Sequence, residues 1–243
     1  MSNSPNYSLE RLNLDAPQRS HVLEVLSQLI KEFGISGCSV LELGSGLGSN
    51  LALFTPSNRV LGYEGLEDAV EEANRRGIES RVANLDYPLD VETGAFDWAL
   101  CLDVLEHLNR PDEALRGIWQ GLRPGGRLVV NVPNHFSLTG RIWMMFGRGI
   151  HWSNYFPGYD DWNDPHIRFF TALSIRRLLD SSGFRVVRDL SHAAPAMPFL
   201  QELRKLGLDR LIARMAKANP ALFCAGHFLL AEKRPLAEAA ELP

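Results

Sequence analysis

The run Val40-Leu41-Glu42-Leu43-Gly44-Ser45-Gly46-Leu47-Gly48-Ser49-Asn50 constrains this chain more than any other segment. A short apolar stretch passes directly into three glycines spaced two apart. Glycine accepts left-handed backbone and lets the main chain approach a ligand where a Cβ would stand in the way. A strand that ends in such a turn and continues into a helix builds a nucleotide site, with the N–H groups of the helix start facing the ligand. Spacing selects the nucleotide. The dinucleotide fingerprint G-x-G-x-x-G needs its third glycine at position 49, which is Ser49. Here it comes one residue early, at Gly48, and an acid, Glu42, sits inside the strand end.

The rest of the chain places that turn in a repeating frame. A helix starts at Asp15, with Pro17 and Gln18 behind it, carries Val22, Leu26, Leu29 and Phe33 on one face, and stops at Gly34. Strands are expected at 39–43, 59–63, 81–83, 96–100, 127–132, 184–190 and 226–232. Between them lie a short helix after the glycine turn and helices at 66–76, at 111–122 with Asn109 as its cap, and at 174–182 before Gly183. Pro124-Gly125-Gly126 turns the chain into the fifth strand. This alternation predicts an α/β fold with a doubly wound, parallel sheet, whose ligands bind at the carboxyl ends of the strands. A single domain is expected over 15–233, with frayed ends at 1–8 and 235–243 and long insertions at about 136–170 and 195–220.

Glu-x-Gly-x-Gly-x-Gly at 42–48 resembles motif I of the class I S-adenosylmethionine (SAM) dependent methyltransferases. Asp103-Val104-Leu105-Glu106-His107-Leu108, after Phe96-Asp97-Trp98-Ala99-Leu100-Cys101, looks like the motif that follows the fourth strand in small members of that family, of the type 11/23 kind. Pro-Gly-Gly-Arg-Leu-Val-Val at 124–130 is similar to their turn into the fifth strand. The resemblance is close over 38–133 and looser over 166–232. It implies a seven-stranded Rossmann-like sheet, mostly parallel with an antiparallel last strand, and SAM as cofactor. It implies cofactor contacts from Glu42, Gly44, Ser45, Gly46 and Gly48, from Glu64 and Gly65, from Asn84, Leu85 and Asp86, and from Leu102 and Asp103. Glu64 ends the second strand, where a carboxylate accepts ribose hydroxyls and disfavours a 2′-phosphate. Family members usually carry Gly-Asp after the third strand; this chain has Ala83-Asn84. Asn84 can accept from the adenine amino group through its side-chain oxygen, and the Leu85 N–H can meet the ring. Asp86 is the alternative acceptor.

SAM brings its own activated methyl, so the protein must align an acceptor and exclude water. A hydroxyl or ammonium acceptor must also lose a proton, to a base or with the help of a metal. His107, His135 and His166 all fall at strand ends or beside the first insertion, and His166 is the preferred base. For His107, packing against the cofactor is an equal alternative. Asp103, Glu106, His107 and the distant His166 also resemble the set that holds a divalent ion in small-RNA 2′-O-methyltransferases and some quinone O-methyltransferases. Here the first acid is aspartate, a carbon shorter, and a divalent cation is the less favoured expectation.

The insertion at 136–170 holds 10 of the 22 aromatics: Phe136, Trp143, Phe146, Trp152, Tyr155, Phe156, Tyr159, Trp162, Phe169 and Phe170. They suit an apolar lid over the methyl donor, or a plug on the core. Arg141, Arg148 and Arg168 interleave with them and could clamp an anionic substrate. The 195–220 insertion sets Leu203, Leu206, Leu211, Ile212 and Met215 against Arg204, Lys205, Arg210, Arg214 and Lys217, as a cap, a dimer helix or a membrane-surface helix. A net charge of −4 gives no global pull toward nucleic acid. No apolar run reaches the roughly 18 residues of a membrane span, and the N-terminus is polar rather than signal-like. Cys38, Cys101 and Cys224 lack metal spacing and read as reduced thiols of a cytoplasmic protein. The leading expectation is O-methyl transfer to a small, partly apolar biosynthetic molecule by a monomer or homodimer. A metal-dependent RNA 2′-O-methyltransferase and a SAM-binding regulatory partner are the alternatives.

Overall fold

The computed structural model describes residues 20–150 and 165–235. Their strands are β1 (Ser39–Leu43), β2 (Arg59–Glu64), β3 (Ser80–Val82), β4 (Phe96–Leu102), β5 (Leu122–Pro133), β6 (Phe184–Asp189) and β7 (Gly226–Lys233). They form one sheet in the order β3-β2-β1-β4-β5-β7-β6. The α-helices are α1 (Ser20–Phe33), α2 (Glu67–Arg75), α3 (Pro111–Gly121), α4 (Leu138–Met145), α5 (Ala172–Ser181), α6 (Leu200–Lys205), α7 (Asp209–Ala218) and α8 (Pro220–Phe223).

Parallel strands need both faces covered, and the side-chain period of two divides each strand between the two layers. Val40, Trp98, Leu100, Val129, Phe228 and Leu230 pack on one face against Val22, Leu26 and Leu29 of α1. Leu41, Leu43, Ala99, Cys101, Val130 and Leu229 take the other face, against Leu115 and Ile118 of α3 and Ile175 and Leu179 of α5. β7 runs antiparallel to both β5 and β6. The cause is the second insertion: β6 ends at the carboxyl rim, α6 to α8 stay there, and the chain must re-enter the sheet from that rim. The expected seven-stranded, mostly parallel sheet with an antiparallel last strand is the fold observed.

Several local expectations are corrected. The glycine turn is followed by a single 3₁₀ turn, Leu51–Leu53, and not by an α-helix. Pro56 sits too close behind for more, since proline disfavours helical backbone in the residue before it. Asn109 does not cap α3: Arg110 holds that position without a side-chain cap. Pro124-Gly125-Gly126 lies inside β5, where pairing passes from Phe96–Leu122 to Trp98–Arg127 and the intervening residues bulge out. α5 starts two residues early because Thr171 and Ser174 form a capping box. The helix start at Asp15 and the lid aromatics Trp152, Tyr155, Phe156, Tyr159 and Trp162 lie outside the described residues. No helix among the described residues is long and apolar enough to cross a membrane.

Candidate active site

Strand order reverses between β1 and β4, and the glycine turn and the turn after β4 meet there. Gly44, Gly46 and Gly48 take φ of +70°, +50° and +76°, the left-handed region that glycine enters without strain. Gly44 has a second reason: a Cβ there would collide with the Val104 side chain, so the crevice closes only on glycine. The Gly46 N–H donates to Glu64 Oε2 at 2.9 Å, while Gly65 and Leu66 N–H groups donate to Oε1 at 2.7 and 3.1 Å. Glu64 is thus fixed at the tip of β2 with acceptor capacity left on Oε2. Glu42 is fully buried beneath the turn, where Asn50 Nδ2 donates to its Oε1 at 2.7 Å. Ser45 is buried as well, its backbone bonded to Tyr63 O.

After β3, Asn84 Oδ1 accepts the Asp86 N–H at 3.1 Å. Asp86 in turn accepts from the Arg110 N–H at 2.8 Å and from Asn109 Nδ2 at 2.9 Å, which ties the β3 loop to the start of α3. Asn84 is exposed beside it, and the Leu85 side chain is in the core. Leu102, the last residue of β4, is buried. Asp103 follows with φ +57°, a left-handed conformation that aspartate tolerates better than most residues. Its carboxylate accepts from Asn131 Nδ2 at 2.6 Å, and its N–H donates to Asn131 O at 3.0 Å.

The three predicted histidines converge. Leu105–His107 form a 3₁₀ turn, and the segment leading out of the first insertion is strapped onto it. Ile167 and Arg168 N–H groups donate to Glu106 O at 2.9 and 3.0 Å, and Arg168 Nη2 donates to Asn109 O at 2.7 Å. The His107 Nδ1 to Pro165 O distance is 3.0 Å. This strap carries His166 onto His135, with His135 Nε2 and His166 Nδ1 3.1 Å apart and Phe169 edge-on to His135 at 5.0 Å. His166 Nε2 lies 3.9 Å from Glu106 Oε1. Among the described residues, donor atoms of Glu106, His107 and His166 lie within 4.8 Å of one another, as a metal ion would require. Asp103, the fourth residue of the implied set, is outside that group and on Asn131.

The described flanking pieces make anchoring contacts of their own. Arg141 donates to Phe136 O, Arg148 stacks over Trp143 at 4.9 Å, and Arg168 holds the strap. Phe170 is buried, Phe169 and Phe136 half-buried, and Phe146 exposed. Asn134 Nδ2 donates to Ala221 O and Cys224 O at 3.0 and 2.9 Å, pinning the second insertion to the end of β5 beside His135. Burial pushes the Cys224 thiol up to about 12, and burial together with the nearby Glu106, Glu42 and Asp103 carboxylates raises Cys101. Sequence reasoning passed over Asn50, Asn131 and Asn134. Their only signal was an amide at the edge of an apolar run, which usually marks a hydrogen-bonding task.

A family described as "Methyltransferase domain" matches residues 18–189. An uncharacterized 37.1 kDa protein from a transposon of Streptomyces fradiae is 38% identical over 112 residues, 42% of this chain and 32% of that protein. A ubiquinone biosynthesis O-methyltransferase of Xanthomonas oryzae is 28% identical over 131 residues, 49% of this chain and 54% of its own length. The chain therefore spans about a third to a half of these relatives. The structure of magnesium protoporphyrin IX methyltransferase from Synechocystis, with S-adenosylhomocysteine (SAH) bound, superposes with a TM-score of 0.58 at 18% identity. The match covers 89% of this chain and 83% of that one.

Proposed function

The chain belongs to the methyltransferase-domain family, as a class I SAM-dependent member, and on that premise we propose that it methylates an oxygen of a small, partly apolar molecule. The observation that carries the reading is the group of His107, His135 and His166 at the same strand ends as the glycine turn. SAM supplies an activated methyl, so the chain must hold the donor, align the acceptor and take up its proton. We assign Glu64 Oε2 to a ribose hydroxyl, since Oε1 already accepts two amides. The turn from Gly44 to Gly48 carries the main chain past the donor, with Glu42 and Ser45 beneath it. Asn84, which is exposed at that rim, and the Leu85 N–H take the adenine edge, while Asp86 holds the β3 loop to the start of α3 through Asn109 and Arg110. Gly65, Leu102 and Asp103 complete the walls.

The histidine group removes the acceptor's proton, and the first insertion shields the site from water. A relative named for ubiquinone O-methylation supports an oxygen of a small molecule as acceptor. The engagement of Asp103 with Asn131 favours this reading over a metal-dependent RNA 2′-O-methyltransferase. Tritium transfer from labelled SAM to a panel of phenols and catechols tests it. His166→Ala should lose most of the turnover and keep SAH affinity within about twofold. No transfer to any phenol or catechol by the wild-type protein, or full activity in the variant, would remove the assignment.

A further inference from the structure

Two stretches of the carboxyl rim carry a combination that the site above does not use. α4 follows β5, while α6 and α7 follow β6, so both stretches leave the sheet at the end where the glycine turn and the histidines lie. Asn134, just before the first stretch, holds the second through Ala221 O and Cys224 O. Among the described residues eleven large apolar side chains are exposed, and six of them sit here: Trp143, Met145, Phe146, Phe199, Leu206 and Leu211. Met145, Phe146, Phe199 and Leu206 are 84, 77, 76 and 73% exposed, more than any other of the eleven. Single exposed apolar residues scattered over a surface need no explanation; a concentration at one rim does.

These side chains are additional to the ones that pack. α7 buries Ile212 and Ala216 and half-buries Met215, and Leu211 still faces water beside Arg210 and Arg214. Phe199 takes φ +58°, a left-handed conformation disfavoured for a bulky residue, so the backbone is strained where it leaves a phenyl ring in water. Charge indicates what covers the face. Residues 199–218 hold Arg204, Lys205, Arg210, Arg214 and Lys217, all exposed, against Glu202 and Asp209. Residues 137–150 hold Arg141 and Arg148 and no acid, in a chain of net charge −4. Apolar side chains flanked by Arg and Lys, with Arg148 stacked over Trp143, fit a lipid interface: hydrocarbon enters the head-group boundary and the cations stay with the phosphates. A second copy would set basic against basic across a two-fold contact. A nucleic-acid backbone would leave Met145 and the leucines in water.

We propose that this rim docks on an anionic membrane surface, with Phe199, Leu206 and the end of α4 in the head-group boundary and the basic side chains on lipid phosphates. The proposal rests on the methyl-transfer reading for its purpose: docking places the crevice beside the bilayer, from which a partly apolar acceptor enters.

Co-sedimentation of the full chain with phosphatidylcholine vesicles containing about one-third phosphatidylglycerol tests it. Wild type should bind them, bind pure phosphatidylcholine vesicles at least about tenfold more weakly, and weaken likewise at about 1 M salt. Arg204→Glu, Arg210→Glu and Arg214→Glu together should lower binding at least about tenfold, as should Met145→Ser, Phe146→Ser, Phe199→Ser and Leu206→Ser together. Should one variant fail to fold by circular dichroism, the wild type and the other variant decide. No binding of wild type to the anionic vesicles, or unchanged binding in either folded variant, overturns the proposal. A dimer in sedimentation velocity that the serine variant dissociates also overturns it, because a second copy then covers the face. The measurement needs no turnover: vesicle binding without methyl transfer defeats the functional reading and leaves the docking, and methyl transfer without vesicle binding does the reverse.

Discussion

Glu64→Gln tests the cofactor assignment at one atom. The side chains are isosteric, so the substitution keeps shape and removes charge. Glutamine can keep its oxygen toward the Gly65 and Leu66 N–H groups, now on Oε1. Its amide nitrogen must then replace Oε2, where it faces the Gly46 N–H donor-to-donor and offers no acceptor to a ribose hydroxyl. A hydrogen bond to a charged group is worth about 1.5–3 kcal/mol, and a neutral one about 1 kcal/mol. Loss of the ribose contact should therefore cost about 1–3 kcal/mol of SAH binding, a rise in Kd of roughly 5- to 150-fold at 1.4 kcal/mol per decade. The free protein should lose about 1 kcal/mol of unfolding free energy, because Gly46 loses its acceptor. Calorimetric titration with SAH, paired with urea denaturation, separates the two effects. A folded variant that binds SAH within twofold of wild type would show that Oε2 does not meet the ribose.

Other perturbations probe the frame of the site. Gly44→Ala puts a methyl into the Val104 side chain on left-handed backbone and should cost about 2–4 kcal/mol of stability in urea, with SAH binding impaired; a neutral result would mean the crevice is wider than observed. Burial pushes His227 from its ordinary 6.5 down to about 4. Between those values the unfolded chain binds more protons, so the stability His227 lends is present above pH 6.5 and lost as pH falls toward 4. That loss is about 3 kcal/mol at 1.36 kcal/mol per unit. Urea curves from pH 7 to 4 should be flatter by that amount in His227→Phe, and equal slopes would refute the assignment. Asn134→Ala removes the bonds to Ala221 and Cys224, so proteolysis within 195–220 should quicken while α1 and the sheet stay protected; unchanged cleavage would show that the insertion is held elsewhere.

What was legible in the sequence is what short-range pattern encodes. The central strands β1, β4 and the second half of β5 announced themselves as apolar runs because a parallel sheet buries both faces, and the glycine spacing announced the crevice. The three histidines were chosen from their nearness to strand ends, and they do meet. The details depended on partners far along the chain. Nothing near Asp103 says that Asn131, 28 residues on, would engage it. Nothing near Asp86, the alternative to Asn84 at the adenine, says that it would accept from Asn109 and Arg110, where the β3 loop meets the start of α3. The arginines of the first insertion could be read only as charges, and their contacts with the Phe136 and Asn109 carbonyls and with Trp143 had no sequence signal. The 3₁₀ turn after the glycines was readable after all: Thr55-Pro56 leaves no room for a helix.

The most direct test of the account is a crystal structure of the chain with SAH. It should show the ribose on Glu64 Oε2, adenine beside Asn84 and Leu85, and the sulfur turned toward the space before His107, His135 and His166. SAH lodged in another cleft, or with its sulfur turned away from the histidines, would contradict it.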